Sequence, residues 1–224
     1  MDIQRIQPDV VAFDDVSLAG IRGVLIDLDG TLYDYEPCHQ HALAAAFALH
    51  SFGLARDAFF NSYRIARDRV TSRLNGQGAG RSRLFAFQIM GEEAGISMPF
   101  IAAYALDRAY WGAFIDFMKV DDGAMRFLKR CHDTSVPVCV VTDMTAHIQI
   151  EKLMRLGVEG LITRLVTSEE VGVEKPDVRM FEAGLQKLGV RADEAIMFGD
   201  DLRKDIGGAL AAGLQAGLIR LGDA

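Results

Sequence analysis

The chain is poor in the residues that export, disulfide or thiolate-metal chemistry would require. Its three cysteines, Cys38, Cys131 and Cys139, show neither close pairing nor metal-ligand spacing, which excludes a disulfide framework and a cysteine-built metal centre. No apolar run is long enough to span a bilayer, and Met1 to Ile6 holds no apolar signal core, so the expectation is a cytoplasmic protein that is neither exported nor anchored. Positive charge is also scarce. The 24 Lys and Arg against 31 Asp and Glu give a formal net charge of -7, which argues against a general nucleic-acid or membrane-surface binder. The glycine-rich piece Asn75 to Gly80 is followed by no Gly-Lys-Ser or Gly-Lys-Thr, so it reads as a flexible turn and not as a nucleotide loop. The histidines His39, His41, His50, His132 and His147 have no ligand spacing and read as packing or surface residues.

What is present is a large apolar share, about half of 224 residues, enough for a sizeable core. Val24 to Leu28 reads as a buried strand, and further apolar runs at Val136 to Val141, Ala195 to Phe198 and Ala216 to Ile219 each follow a plausible helix. Such alternation predicts an α/β fold with a parallel sheet flanked by helices. Between the first strand and the rest, residues 36–118 are Ala-rich and Arg-rich with helical patterning, broken near Ser51 to Gly53 and Asn75 to Gly80. The expected organisation is a core of residues 1–35 and 119–224 interrupted by an all-helical cap of residues 36–118. In the last cap helix, Phe100, Tyr104, Trp111, Phe114 and Met118 are spaced to share one face, which reads as a packing stripe and leaves room for a monomer or a homodimer. Residues 1–20 read as an N-terminal extension without a legible role.

Acids stand where the apolar runs end. Alternation places Asp27 and Asp29 on the same side of an extended chain, and two unpaired carboxylates so close call for a divalent cation. Gly30 and Thr31 follow at once. Thr142 and Asp143 end the second run, where a hydroxyl and the amides opening the next helix suit an anion. Lys175 precedes Pro176, which biases it towards an extended conformation. Gly199, Asp200 and Asp201 close the third run, with Asp205 further on. Taken singly, Thr142 or Asp143 could cap a helix and Lys175 could be a surface lysine. In this order, each beside a strand end, they converge on one edge of a sheet.

These motifs resemble the haloacid dehalogenase superfamily over nearly the whole chain, from Asp27 to Gly213. Lys175-Pro176-Asp177 and Gly199-Asp200 with Asp205-Ile206, Gly208-Ala209 and Ala212-Gly213 look like the members with a helical cap between the first two motifs. The resemblance implies a Rossmann-like core and a magnesium-dependent phosphatase acting on a small-molecule phosphate ester. It makes Asp27 the nucleophile and a metal ligand, and Asp29 the acid-base group, with its backbone carbonyl on the metal. Asp200 becomes a further metal ligand, Thr142 and Lys175 hold phosphate oxygens, and Thr31 approaches the phosphate. Asp205 and Asp201 are then supporting groups around the metal, and Asp34 a supporting or solvent-facing one.

Where the family commonly has asparagine, this chain has Asp143, a candidate at the phosphate-binding position: either it turns away to cap the helix, which is favoured because a further carboxylate facing phosphate would weaken binding, or it alters substrate preference. Asp29 favours phosphoryl chemistry over dehalogenation, because departing halide needs no proton. The absence of lysine between Asp34 and Met118 removes a Schiff-base phosphonatase. A sugar-phosphate mutase and a non-catalytic binding or regulatory protein stand as alternatives. Seven arginines between Leu54 and Phe85 face only Asp57 and Asp68, so this segment is basic; it reads as a solvated surface, with Arg81 or Arg83 as a candidate contact to an anionic substrate.

Overall fold

A computed structural model describes residues 10–221. In chain order the principal elements are β1 (Gly23–Ile26), α1 (Tyr35–Leu49), α2 (Arg56–Arg73), α3 (Arg83–Glu93), α4 (Pro99–Phe117), α5 (Asp122–Asp133), β2 (Val138–Thr142), α6 (Ala146–Leu156), β3 (Arg164–Thr167), α7 (Ser168–Val171), α8 (Val178–Leu188), β4 (Ala195–Gly199), α9 (Gly208–Ala211) and β5 (Gln215–Leu218). They form two compact units, Met1–Tyr35 with Lys119–Ala224, and Glu36–Met118.

The first unit is a five-stranded sheet in the order β3-β2-β1-β4-β5, with every pairing parallel. β1 and β2 are buried at every position, as strands covered on both faces must be. The chain runs outward from β1 through β2 to β3, then crosses back to lay β4 and β5 on the other side of β1. That reversal makes the carboxyl ends of β1, β2 and β4 the switch point at which ligands bind in open α/β sheets. Helix α8 covers one face, packing Met180, Phe181 and Leu185 against Leu25, Val141, Val166 and Met197. Near the N-terminus Phe13 stacks on Phe127 of α5 at 5.1 Å, while Asp14 pairs with Arg126 at 2.6 Å and Arg130 donates to the Phe13 carbonyl at 2.7 Å. Residues 10–16 are thus a strap across α5; residues 1–9 of the expected extension lie outside the described residues.

β3 has no counterpart in the apolar runs of the sequence. It is the edge strand beside β2, its first residue Arg164 is exposed, and only Val166 and Thr167 are buried, so too few apolar positions line up to mark it.

The second unit is four helices closed around aromatic side chains. Tyr63, Phe87, Tyr110 and Phe114 are buried and in ring contact, and buried Phe59 meets the rings of Phe47 and Phe52, each such burial contributing on the order of 1.5–3 kcal/mol. The stripe expected along α4 is split: Trp111, Phe114 and Met118 are buried, but Phe100 and Tyr104 are 56% and 59% exposed. The inward face runs instead through Ala103, Leu106, Tyr110 and Phe114, a set the larger aromatics masked. The glycine-rich turn is not loose either. Gly78 and Gly80 are buried, and Arg67 donates to the carbonyls of Gly80 and Ser82 at 3.1 and 3.0 Å. A β-carbon on Gly80 would sit 2.7 Å from the Leu74 carbonyl, which explains the glycine there. Several arginines of the basic segment have partners inside this unit: Arg64 reaches Asp68 at 3.5 Å, Arg69 pairs with Glu93, and Arg83 is buried with its guanidinium 5.1 Å from the Trp111 ring.

Candidate active site

Asp27 follows β1 directly, its amide bonded to the Phe198 carbonyl of β4 at 2.8 Å, so the sheet itself fixes where this acid stands. Its carboxylate meets Lys175 Nζ at 2.5 Å, and the same ammonium reaches Asp205 at 2.7 Å and donates to the Val141 carbonyl at 2.9 Å. Lys175, Asp27 and Asp205 are all buried. A buried charge of either sign is tolerable only when paired. Burial pushes the Asp27 carboxyl well up, Lys175 pulls it down, and the neighbouring Asp205, Asp200 and Asp29 raise it further. Burial acts on Lys175 in the opposite sense, but Asp205 and Asp27 outweigh it and hold the ammonium well above its ordinary value.

Asp200, one residue past β4, completes the acidic group: Asp27, Asp200 and Asp205 each offer a carboxylate oxygen within 4.8 Å of the others. Burial first, then Asp205, lifts Asp200 to about 6. Gly30 makes this approach possible. It adopts a φ of +85°, and a β-carbon there would lie 2.5 Å from Asp200 Oδ2, so a side chain would collide with the acid as well as strain the backbone. Gly199 does the same for Asp205, whose carboxyl occupies the space a β-carbon would need. Three carboxylates against one ammonium leave excess negative charge, and two glycines are given over to keeping the acids close. This oxygen-only donor set fits a hard divalent cation such as magnesium.

Asp29 takes a different set of partners. Its Oδ1 accepts from Lys152 Nζ at 2.6 Å and from the Tyr33 hydroxyl, and its Oδ2 accepts a longer bond from Gln149 Nε2 at 3.4 Å. Burial raises its carboxyl, but Lys152, Tyr33 and Gln149 together hold it below the ordinary carboxylate value. Gln149 Nε2 also donates to Thr142 Oγ1 at 2.5 Å, so the Thr142 hydroxyl keeps its own proton for another acceptor. Thr31 is buried beside these groups in sequence, and its hydroxyl has no partner among the described residues.

Asp143 does not cap α6. Its Oδ1 accepts the Lys175 amide at 2.8 Å and its Oδ2 the Lys204 ammonium at 2.7 Å, so it fixes the backbone that carries Lys175. The residue at the helix cap is Thr145, and the Ala146 amide is taken by Glu169 at 2.8 Å. Both Asp143 oxygens are thereby engaged, and neither is offered to an anion. Asp201 turns to the amides of Arg203 and Lys204, both at 2.8 Å, capping the turn that follows β4. Asp34 is exposed. Lys152, Gln149 and Tyr33 carry no motif signal. The available clue was that a lysine and a glutamine three apart fall on the inward face of α6 beside Ile148 and Leu153.

A family model for haloacid dehalogenase-like hydrolases matches residues 21–213. A ribulose-1,5-bisphosphate 5-phosphatase of Halopiger xanaduensis is 38% identical over 88% of this chain and 83% of its own length. A glyceraldehyde 3-phosphate phosphatase of Methanopyrus kandleri is 32% identical over 90% of this chain and 85% of its own. In fold, a 2-haloacid dehalogenase of Pseudomonas syringae superposes with a TM-score of 0.72 at 23% identity, covering 88% of this chain and 85% of that one. With parallel sheet, switch-point acids and family match in agreement, the chain belongs to the haloacid dehalogenase-like hydrolases and is an enzyme of that family.

Proposed function

We propose that this hydrolase is a magnesium-dependent phosphomonoesterase that releases phosphate from a small phosphorylated sugar through a phosphoaspartate on Asp27. The observation that carries the reading is the gathering of Asp27, Asp200 and Asp205 within 4.8 Å around Lys175, at the sheet's switch point. The substrate class rests on the two relatives, whose names specify phosphorylated sugars.

In this reading the Asp27 carboxylate attacks phosphorus, and the ester oxygen departs with a proton that Asp29, ionised in the free enzyme, takes up from solvent as the anionic phosphate binds beside it. Asp29 then takes a proton from water, which attacks the phosphoaspartate and releases phosphate and free Asp27. Thr142, whose proton is left available by the bond from Gln149, holds a phosphate oxygen and Thr31 closes on the same group, while Lys175, whose three protons go to Asp27, Asp205 and the Val141 carbonyl, offsets the negative charge gathered there. Asp27, Asp200 and the Asp29 carbonyl would hold the magnesium, while Asp205 orients Lys175 and accepts the Asp201 amide at 3.0 Å. Bound magnesium supplies Lewis-acid neutralisation of the charge on the transferring phosphoryl group.

The test is phosphate release from a panel of sugar phosphates, with and without magnesium, on wild type and Asp27→Asn. Metal-dependent release that disappears in the variant is expected. Release that persists in Asp27→Asn would reject the phosphoaspartate.

A further inference from the structure

Lys152 is the most unusual lysine in the fold. Its side chain is 0% exposed, yet it sits on α6 among apolar residues and spends its charge on Asp29, whose own side chain is 24% exposed. Lysine is almost never fully buried unless a partner requires it there. Gln149, one turn earlier on the same face, is also fully buried and bridges Thr142 Oγ1 and Asp29 Oδ2. Tyr33 adds a third donor to the Asp29 carboxylate and places its ring 5.9 Å from the Lys152 ammonium.

From this arrangement we infer that Lys152 and Gln149 are positioning residues for Asp29: they fix its carboxylate where it can serve the departing ester oxygen, and they couple that placement to the phosphate-holding Thr142. The inference rests on the acid-base role given to Asp29 under Proposed function. The physical reason is geometric. Asp29 lies past the end of β1, beyond the strand's own pairing, so the backbone alone leaves its side-chain torsions unset. Three donors from α6 and the Tyr33 turn set them, and a group misplaced by about 1 Å can lose about a hundredfold in rate. Lys175 serves Asp27 in the same manner, so each of the two acids has its own buried lysine.

A positioning role predicts a selective defect, because only a poor leaving group needs its proton delivered. In Lys152→Met and Gln149→Met, kcat/KM for an alkyl ester such as glycerol phosphate should fall by about 10–100-fold. For p-nitrophenyl phosphate, whose leaving group departs without a proton, it should stay within about twofold in Lys152→Met; in Gln149→Met, which also releases Thr142, both esters fall, the alkyl ester by about tenfold more. A merely structural role would lower both esters equally. If Lys152→Met fails to fold, Gln149→Met, which removes no charge, carries the same comparison. Asp29→Asn is run alongside. Selectivity in Asp29→Asn without selectivity in the α6 variants would overturn the positioning role alone; equal loss of both esters in Asp29→Asn would overturn the acid-base role beneath it. Equal losses, or none, in both α6 variants would also reject the inference.

Discussion

The two units bury different things. Among the described residues, the buried polar and charged side chains of the sheet unit are Asp27, Thr31, Thr142, Gln149, Lys152, Thr167, Ser168, Lys175 and Asp205, whereas the helical unit buries Arg83 and otherwise packs rings and aliphatics. Aromatic burial is stabilising in itself. Buried ion pairs commonly are not, since well-packed apolar residues of similar volume do as well or better. Stability therefore accounts for the helical core and does not account for four buried or half-buried acids and two buried lysines gathered at the strand ends. Chemistry does.

Several changes would break or sharpen that contrast. The largest effect is expected for Lys175→Met, which leaves Asp27 and Asp205 buried without their counter-charge; it should cost about 3–5 kcal/mol in urea unfolding and abolish phosphate release. In the helical unit, Phe87→Ala should cost about 3 kcal/mol by opening a cavity among Tyr63 and Tyr110, with no dependence on magnesium. A loss comparable to that of Lys175→Met which magnesium reversed would contradict the division between packing and chemistry.

Smaller is the acid response of His39, whose ring bonds the Tyr110 hydroxyl at 2.7 Å. Burial first, then Arg83, lowers it to about 4, with Glu36 opposing and Arg67 adding. Because the folded value lies below the ordinary one, His39 contributes stability that is fully present above about 6.5 and is lost as pH falls towards about 4. The unfolding midpoint should drop less between these limits in His39→Gln than in wild type. Smallest is Asp143→Asn, which keeps an acceptor for the Lys175 amide and loses the pair with Lys204; a change in kcat/KM of less than about tenfold is expected.

How far the sequence could be read follows from what each signal depends on. Period and apolar runs report burial, so the parallel α/β sheet was legible in β1, β2, β4 and β5, while the half-exposed edge strand β3 was not. The same logic misled on α4, where Phe100 and Tyr104 have the bulk of core residues but point outward, and small Ala103 takes the inward place. At the site, acids following apolar runs are visible as positions; their partners are not. Asp143 reads as a helix cap because Thr-Asp before a helix usually is one, but Lys175 and Lys204 arrive from residues 32 and 61 positions away and claim both oxygens. Lys152 and Gln149 fall in a helix whose period gives only a face, and nothing local says that the face meets Asp29.

The central claim, that Asp27 carries the phosphoryl group, is tested most directly by borohydride reduction of the enzyme during turnover of a sugar phosphate with magnesium, followed by peptide mass spectrometry. An acyl phosphate on Asp27 would be reduced to homoserine at that position and at no other acid. Phosphate release without reduction at Asp27, or with reduction at Asp29, Asp200 or Asp205 instead, would contradict it.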